Sequence, residues 1–348
     1  MKLVLIGDTH YGVRNDRPEF LDSMARFLGD VFFPYLWKNT SDVAAVVHLG
    51  DLVDRRKYVN INTANRLRRD FVLPLEEWCH AADKEAYFIA GNHDVYYRNT
   101  NRLNALDELL PNAWTVRDDA LRISAGGVGV LLVPWICDEN VHRVWSRVIE
   151  SDARVALGHF ELKGHEQYKN QFATHGDDPA MLSKFDLVCS GHYHHRSTQG
   201  NVTYIGAAGQ YTWNDHGGER GFAVLETSNM TLEFIENPYA MFERIEHAGT
   251  WSHVTGTCRN KFVKLVVRAE DDELEGHVAA IEADGPAELQ VIHAVDTSVA
   301  EGIDAAAIVD DTLEAFHAVI DEIDGIDARR DRLKALVSEV HAEATQRV

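Results

Sequence analysis

Through the first two-thirds of the chain, short apolar runs alternate with longer segments whose apolar residues recur at helical spacing. Lys2 to Ile6, Val43 to Leu49, Ala86 to Ala90, Val128 to Val133, Val155 to Leu157 and Asp186 to Cys189 are short and rich in β-branched residues, which predicts buried strands. Between them, Pro18 to Phe33, Thr63 to Ala82, Asn101 to Leu110 and Glu139 to Glu150 predict helices. This alternation argues for a layered α/β domain. Val202 to Ile205, Gly221 to Leu225 and Thr231 to Ile235 follow as consecutive strands, which would make the second sheet of that domain mixed or antiparallel.

Periodicity weakens over Pro238 to Gly256, the expected domain boundary. Beyond it, Lys261 to Arg268 alternates Phe262, Leu265 and Val267 with charge, and Leu289 to Val295 is a further strand, so a small α/β module is expected. From Ile303 onward Val309, Leu313, Phe316, Ile320 and Ile323 step by four and three. Leu333, Leu336, Val337, Val340 and Ala344 form a similar face within Arg329 to Arg347, which predicts two amphipathic helices.

An apolar content of 45% over 348 residues suits a globular chain with a real core. No stretch approaches the roughly 20 apolar residues that span a bilayer, and Met1 to Ile6 runs straight into a polar motif. A soluble cytoplasmic protein without a membrane segment is expected. Cys79, Cys137, Cys189 and Cys258 lie far apart without a CxxC pair, which predicts buried thiols instead of a disulfide framework or zinc knuckle. The net charge of −21 would by itself argue against a nucleic-acid partner, but the charge is unevenly distributed. Residues 269–328 carry 18 acidic and no basic side chains, whereas residues 1–268 hold 29 basic against 34 acidic, so the part with the candidate chemistry is close to balanced.

The chemistry sits where the apolar strands end. The first runs into Asp8, Thr9, His10; the second into Gly50, Asp51, Leu52, Val53, Asp54; the third into Gly91, Asn92, His93, Asp94. Two more endings supply Gly158, His159 and Gly191, His192, Tyr193, His194, His195. Ligands of α/β sheets bind at the carboxyl ends of strands, and the glycines allow sharp turns that aim the next side chain into a shared crevice. Packing a strand end needs no carboxylate, carboxamide and imidazole together. Such a mixed donor set has intermediate hardness, suited to Mn²⁺ or Fe more than to all-oxygen Mg²⁺ or thiolate-rich Zn²⁺.

These five blocks resemble the calcineurin-like metallophosphoesterase superfamily. Tyr204 to Gly206, Tyr211 to Asp215 and Arg220 to Phe222 narrow the resemblance to the SbcD-type DNA repair nucleases, most of all the phage recombination endonuclease subunits. The resemblance implies a two-sheet α/β/β/α sandwich over 1–240, a small α/β capping module over 241–300, and C-terminal helices over 301–348 that dock on a partner. It implies that Asp8, His10 and His194 hold one metal, that Asn92, His159 and His192 hold the other, and that Asp51 bridges two Mn²⁺ ions. His93 would face the substrate and act on the leaving oxygen, with Asp94 accepting from its other ring nitrogen and favouring the imidazolium. Asp54 is either a partner of a metal-bound histidine or a strand-end cap, and His195 is a neighbour of the ligands. The implied partners are DNA, an SMC-like coiled-coil ATPase and a second copy of the chain.

Arg55, Arg56, Lys57, Arg66, Arg68 and Arg69 fall within residues 55–69 without an acid. A positive stripe beside a phosphodiester-cleaving centre is where a nucleic-acid backbone would lie, although a solvated helix face has the same composition. Tyr96, Tyr97 and Arg98 follow His93 and could stack on or clasp a displaced strand. Lys163 to Asp178 reads as a loop over the site. Three function classes fit: a DNA nuclease, exonucleolytic on duplex ends and endonucleolytic on single strands; a small-molecule or protein phosphoesterase; and a non-catalytic scaffold, which the intact donor set disfavours.

Overall fold

The computed structural model describes residues 1–111, 114–168, 171–249, 255–269, 272–293 and 337. Met1–Tyr211 with Asp215–Met241 form one compact unit, and Thr212–Asn214 with the described residues from Phe242 onward form a second.

Two six-stranded sheets build the first unit. In spatial order the first runs Thr231–Glu236, Gly221–Glu226, Lys2–Ile6, Val43–His48, Glu85–Ile89 and Thr115–Val116. The strands from Lys2–Ile6 onward are parallel. The second sheet runs Ser197–Gln199, Val202–Tyr204, Leu187–Ser190, Val155–Gly158, Val128–Val133 and Leu121–Ala125, parallel at its centre and antiparallel at both edges. The expected place of the last two strands is corrected. Gly221–Glu226 and Thr231–Glu236 form a hairpin that joins the first sheet, where Gly221–Glu226 pairs antiparallel with Lys2–Ile6 and sets Ala223 opposite Leu5. Gly221–Glu226 is buried at nearly every position, so it needs cover on both faces, which a place beside the first strand supplies.

Leu3, Leu5, Val47, Leu49 and Ile89 of the first sheet pack with Val130, Leu132, Val155, Leu157 and Cys189 of the second. Burying such a side chain fully is worth about 1.5–3 kcal/mol, so this interface is the unit's main stabilising layer. Val144, Trp145 and Val148 of the helix Val141–Glu150 cluster with Leu131, Val133, Ala156 and Val188 of the second sheet. Phe27 and Phe32 meet Phe222 on the first sheet, and Phe71 packs on Phe32. The result is an α/β/β/α sandwich.

The helix predicted from Pro18 to Phe33 runs on to Lys38, and the one predicted from Thr63 to Ala82 begins two residues earlier, at Ile61. Pro18–Phe27 passes through a π turn, Leu28–Phe32, into Phe33–Lys38, and Ile61–Leu67 passes through Arg68–Val72 into Leu73–Ala82. Pro34 and Pro74 open the segments after the π turns; the wider turn accommodates a ring that lacks an N–H and would clash with the carbonyl one turn back. The predicted helix Asn101 to Leu110 is corrected: Thr100–Asn104 is a strand paired with Val95–Tyr97, and only Ala105–Leu109 is helical. Asn104 sets that boundary, its side chain capping the helix by accepting from the Asp107 amide.

All four cysteines are buried and free. In the second unit, Phe242–His247, Phe262–Val267 and Glu288–His293 form a parallel sheet, and Ile281 of the helix Leu274–Ala283 clusters with Cys258, Val263, Leu265 and Val267. The helices expected from Ile303 onward lie outside the described residues, apart from Val337, which is helical. Among the described residues no helix is long and apolar enough to cross a membrane.

Candidate metal centre

The parallel strands of both sheets end at one place, and their ends are bent. Asp8, His10, Asp51 and His192 all adopt positive φ, between 42° and 87°, a region that non-glycine residues enter at a cost. Gly50 has φ 98°, and a Cβ there would lie 2.3 Å from His159 Nδ1; one on Gly91 would lie 2.2 Å from Asp51 Oδ1. Only glycine permits these close approaches.

Asp8, His10 and His194 form one donor group and Asp51, His159 and His192 a second, with ligand atoms within 4.8 Å in each, and His10, Asp54 and His93 converge in the same way. Asn92 Oδ1 lies 3.0 Å from both His159 Nε2 and His192 Nδ1, which puts it with the second group. Asp51 Oδ2 stands between the groups, 3.7 Å from His10 Nε2 and 3.3 Å from His159 Nε2. The residues singled out in the sequence as ligands are thus brought together at one place. His159 Nδ1 donates to Leu49 O at 2.7 Å, leaving Nε2 as its lone-pair donor, the arrangement of a ligating histidine held by a main-chain carbonyl.

The electrostatics fit cations. Burial pushes the Asp8 carboxyl up to about 7, with His159 opposing and Asp51 adding to the rise. Burial disfavours charge on His10 and His159, yet Asp54, Asp51 and Asp8 outweigh it for the first, and Asp51 and Asp8 for the second, raising each to about 9. Against its own burial, Asp51 is held well below the usual carboxylate range by His159, His93 and His10. His10 Nε2 and His194 Nε2 approach to 3.0 Å, a distance two lone pairs tolerate only with a proton or a cation between them. Carboxylates and imidazoles packed this densely keep protons where divalent ions would otherwise balance the charge.

The expected pairing of His93 with Asp94 is corrected. Asp94 is fully buried, and its carboxylate accepts from the amides of Leu52, Val53 and Gly91, tying two strand-end loops together; it is turned to main chain and not to the His93 ring. The His93 Nδ1 instead donates to the main-chain carbonyl of Asp54, while the His93 amide donates to Asp51 Oδ1 at 2.8 Å. Burial lowers the His93 pKa, so the imidazolium is not favoured in the protein alone. The Asp54 carboxylate lies 3.5 Å from His10 Nδ1, as a partner of that histidine. His195 Nε2 is 4.0 Å from Glu166, apart from both groups.

The basic run is more compensated than its sequence suggests. Arg55 pairs with Asp16, Arg66 with Asp22 and Asp70 at 2.8 and 2.7 Å, and Arg69 with Asp70 at 2.6 Å. Lys57 and Arg68 are exposed. Arg56 differs: its Nη1 is buried without a hydrogen-bond partner, and burial followed by the Arg98 charge lowers its pKa while Asp51 opposes. Tyr96 and Tyr97 pack edge to face, Tyr97 exposed.

Three neighbours of the centre carry no strand-end signal in the sequence. Glu161 Oε1 lies 3.7 Å from His192 Nε2, the ring nitrogen facing away from Asn92, and 3.1 Å from His175. Trp135 packs its ring 5.5 Å from His192 and 6.0 Å from His159. The Tyr211 hydroxyl donates to Asp8 O at 2.7 Å, its ring meets His10 and His194, and its amide donates to Asp215, itself paired with Arg220 in a buried bridge. Glu161 stands two residues beyond His159 and could have been found by asking what orients the far side of each histidine.

Residues 1–196 match the family described as calcineurin-like phosphoesterase. The chain is 30% identical over 355 residues to exonuclease subunit 1 of Enterobacteria phage T4, across 99% of this chain and 100% of that protein. Solved structures similar to it include an archaeal phosphodiesterase, 16% identical over 68% of this chain and 99% of that one with a TM-score of 0.33. Another is a calcineurin-like phosphoesterase of Bacillus subtilis, 14% identical over 68% and 88% with a TM-score of 0.35.

Proposed function

We propose that this chain, which belongs to the calcineurin-like phosphoesterase family of metal-dependent hydrolases, is a Mn²⁺-dependent DNA nuclease. The observation that carries this reading is the similarity to the phage exonuclease subunit, which runs the length of both chains. Asp8, His10 and His194 would hold one ion and Asn92, His159 and His192 the other, with Asp51 shared. Bound divalent ions supply the Lewis acidity that activates water and offsets the charge building at phosphorus.

The side chains do the rest. Asp51 keeps His10 and His159 turned towards one point, and Asp94 fixes the loops that carry Asp51 and Asn92. With Nδ1–H given to the Asp54 carbonyl, His93 has Nε2 available for substrate. A phosphodiester anion beside it adds the negative charge that favours its imidazolium, so Nε2 delivers a proton to the leaving oxygen. Arg56 and Arg98 supply positive charge near Asp51 for the strand's phosphates. As the activity we propose exonucleolysis of duplex ends and endonucleolysis of single strands, serving recombination and repair. As assembly we propose a homodimer whose C-terminal helices dock on an SMC-like coiled-coil ATPase in the host cytoplasm.

End-labelled duplex and single-stranded DNA, incubated with the purified chain across a Mn²⁺ titration, test the reading. Cleavage that disappears in Asp51→Asn is expected. Turnover of nucleotides or phosphopeptides with DNA left intact would refute it. Deleting Arg329 to Val348 is expected to abolish ATPase pull-down while sparing Mn²⁺-dependent cleavage.

A further inference from the structure

Beside the candidate second metal group lies a cleft of about 220 Å³ that the proposed hydrolysis does not use. His159 lines it, so one wall of the cleft is a candidate ligand of the centre. Trp135, Ile136, Val141 and Phe160 make its apolar surface. Trp135 is held firmly: its amide donates to Ala90 O, and its carbonyl accepts from Asn101 and Asn140 at 2.8 and 3.0 Å. Besides His159, the charged groups of the cleft are acidic, namely Asp138, Glu161 and Asp177.

That combination selects among the parts of a nucleic acid. A phosphate is disfavoured, because three carboxylates line the space and His159, its one basic residue, has Nδ1 on Leu49 O and Nε2 beside Asp51. A flat heterocycle fits, since it can lie on the Trp135 ring and donate from its amino or imino groups to the carboxylates. The space is too small for a stacked base pair, so the base must be unpaired when it enters. We infer that this cleft receives the unpaired base of the nucleotide next to the scissile phosphate. The inference rests on the nuclease reading and deepens it: substrate is engaged through a single-stranded or frayed nucleotide, held on Trp135 while its phosphate reaches the centre.

The test scans one abasic nucleotide along a single-stranded oligonucleotide and measures cleavage at every phosphate by the wild-type protein in Mn²⁺. One register flanking the cut is expected to lose about tenfold or more in rate, the scale of one base–aromatic stack, with the other registers unaffected. 5-Iodouracil placed at that register is then irradiated on the protein, and the adduct is mapped by mass spectrometry to the peptide carrying Trp135. A flat abasic profile, or an adduct on a different peptide, would overturn the base site. Hydrolysis of bis(p-nitrophenyl) phosphate without cleavage of any DNA would instead remove the nuclease reading, and the base site with it.

Discussion

Glu161→Gln separates the two metal sites. In the structure His192 turns Nδ1 to Asn92 and Nε2 to Glu161, so the carboxylate supports a ligand of the second group and no residue of the first. Removing an outer partner of a metal-bound histidine lowers metal affinity by about 10–100-fold. The low end applies here. The separation of 3.7 Å exceeds a hydrogen bond, the Glu161 side chain is 31% exposed, and His175 shares the carboxylate at 3.1 Å. A loss of about tenfold, or about 1.4 kcal/mol, is therefore expected at one site only. Calorimetric titration with Mn²⁺ resolves it: one phase moves and the other stays. Turnover of bis(p-nitrophenyl) phosphate, which carries no base for the cleft, should fall at limiting Mn²⁺ and recover at saturation, because Glu161 supports a ligand and does no chemistry. Equal weakening of both sites, or a deficit that saturating metal does not repair, would refute the assignment.

His93→Ala is expected to lower cleavage by roughly 10²–10⁴-fold with both metals still bound, checked by single-turnover kinetics beside elemental analysis. Arg56→Ala should make the salt dependence of duplex binding shallower by about 0.9 in slope; an unchanged slope would remove Arg56 from phosphate contact. His48 is fully buried, stacks on Phe88 and meets Thr9 Oγ1 at 3.1 Å, and burial pushes its pKa down to about 3. The unfolded chain takes up a proton near pH 6.5 that the folded chain refuses, so stability is lost as pH falls from about 6.5 towards 3. Between pH 7 and 5 this amounts to about 2 kcal/mol, which His48→Gln should abolish in urea unfolding compared at the two pH values.

The candidate ligands were legible because each follows directly on an apolar strand: Asp8 on Lys2–Ile6, Asp51 on Val43–His48, His159 on Val155–Gly158. Local pattern and chemistry coincide there. Asp94 was misread because its position beside His93 in sequence does not reveal which way a buried carboxylate turns, and three amides were nearer. The partners of the basic run were hidden for a related reason: Asp16 and Asp22 reach Arg55 and Arg66 through the fold and not along the chain. Trp135 follows a strand that ends without a ligand, so only tertiary structure brings it to His192. The hairpin Gly221–Glu226 with Thr231–Glu236 was found as strands but given to the wrong sheet, since periodicity encodes burial and says nothing of which neighbour provides it.

The bent backbone at Asp8, His10, Asp51 and His192 bears on how such a protein can evolve. Aspartate and histidine enter this region more readily than most residues, but glycine enters it freely, and each uncommon conformation costs of order 1–3 kcal/mol. Against a total stability of about 5–15 kcal/mol, that is a standing disadvantage which selection on folding alone would erode. A descendant released from catalysis would relieve that strain by taking glycine at these positions, and each such step would delete a candidate ligand. The Asp8 carboxylate also accepts from the His192 amide at 3.0 Å, so Asp8→Gly exchanges relief of backbone strain for a lost hydrogen bond and is expected to abolish cleavage with little change in the melting temperature of the metal-free protein.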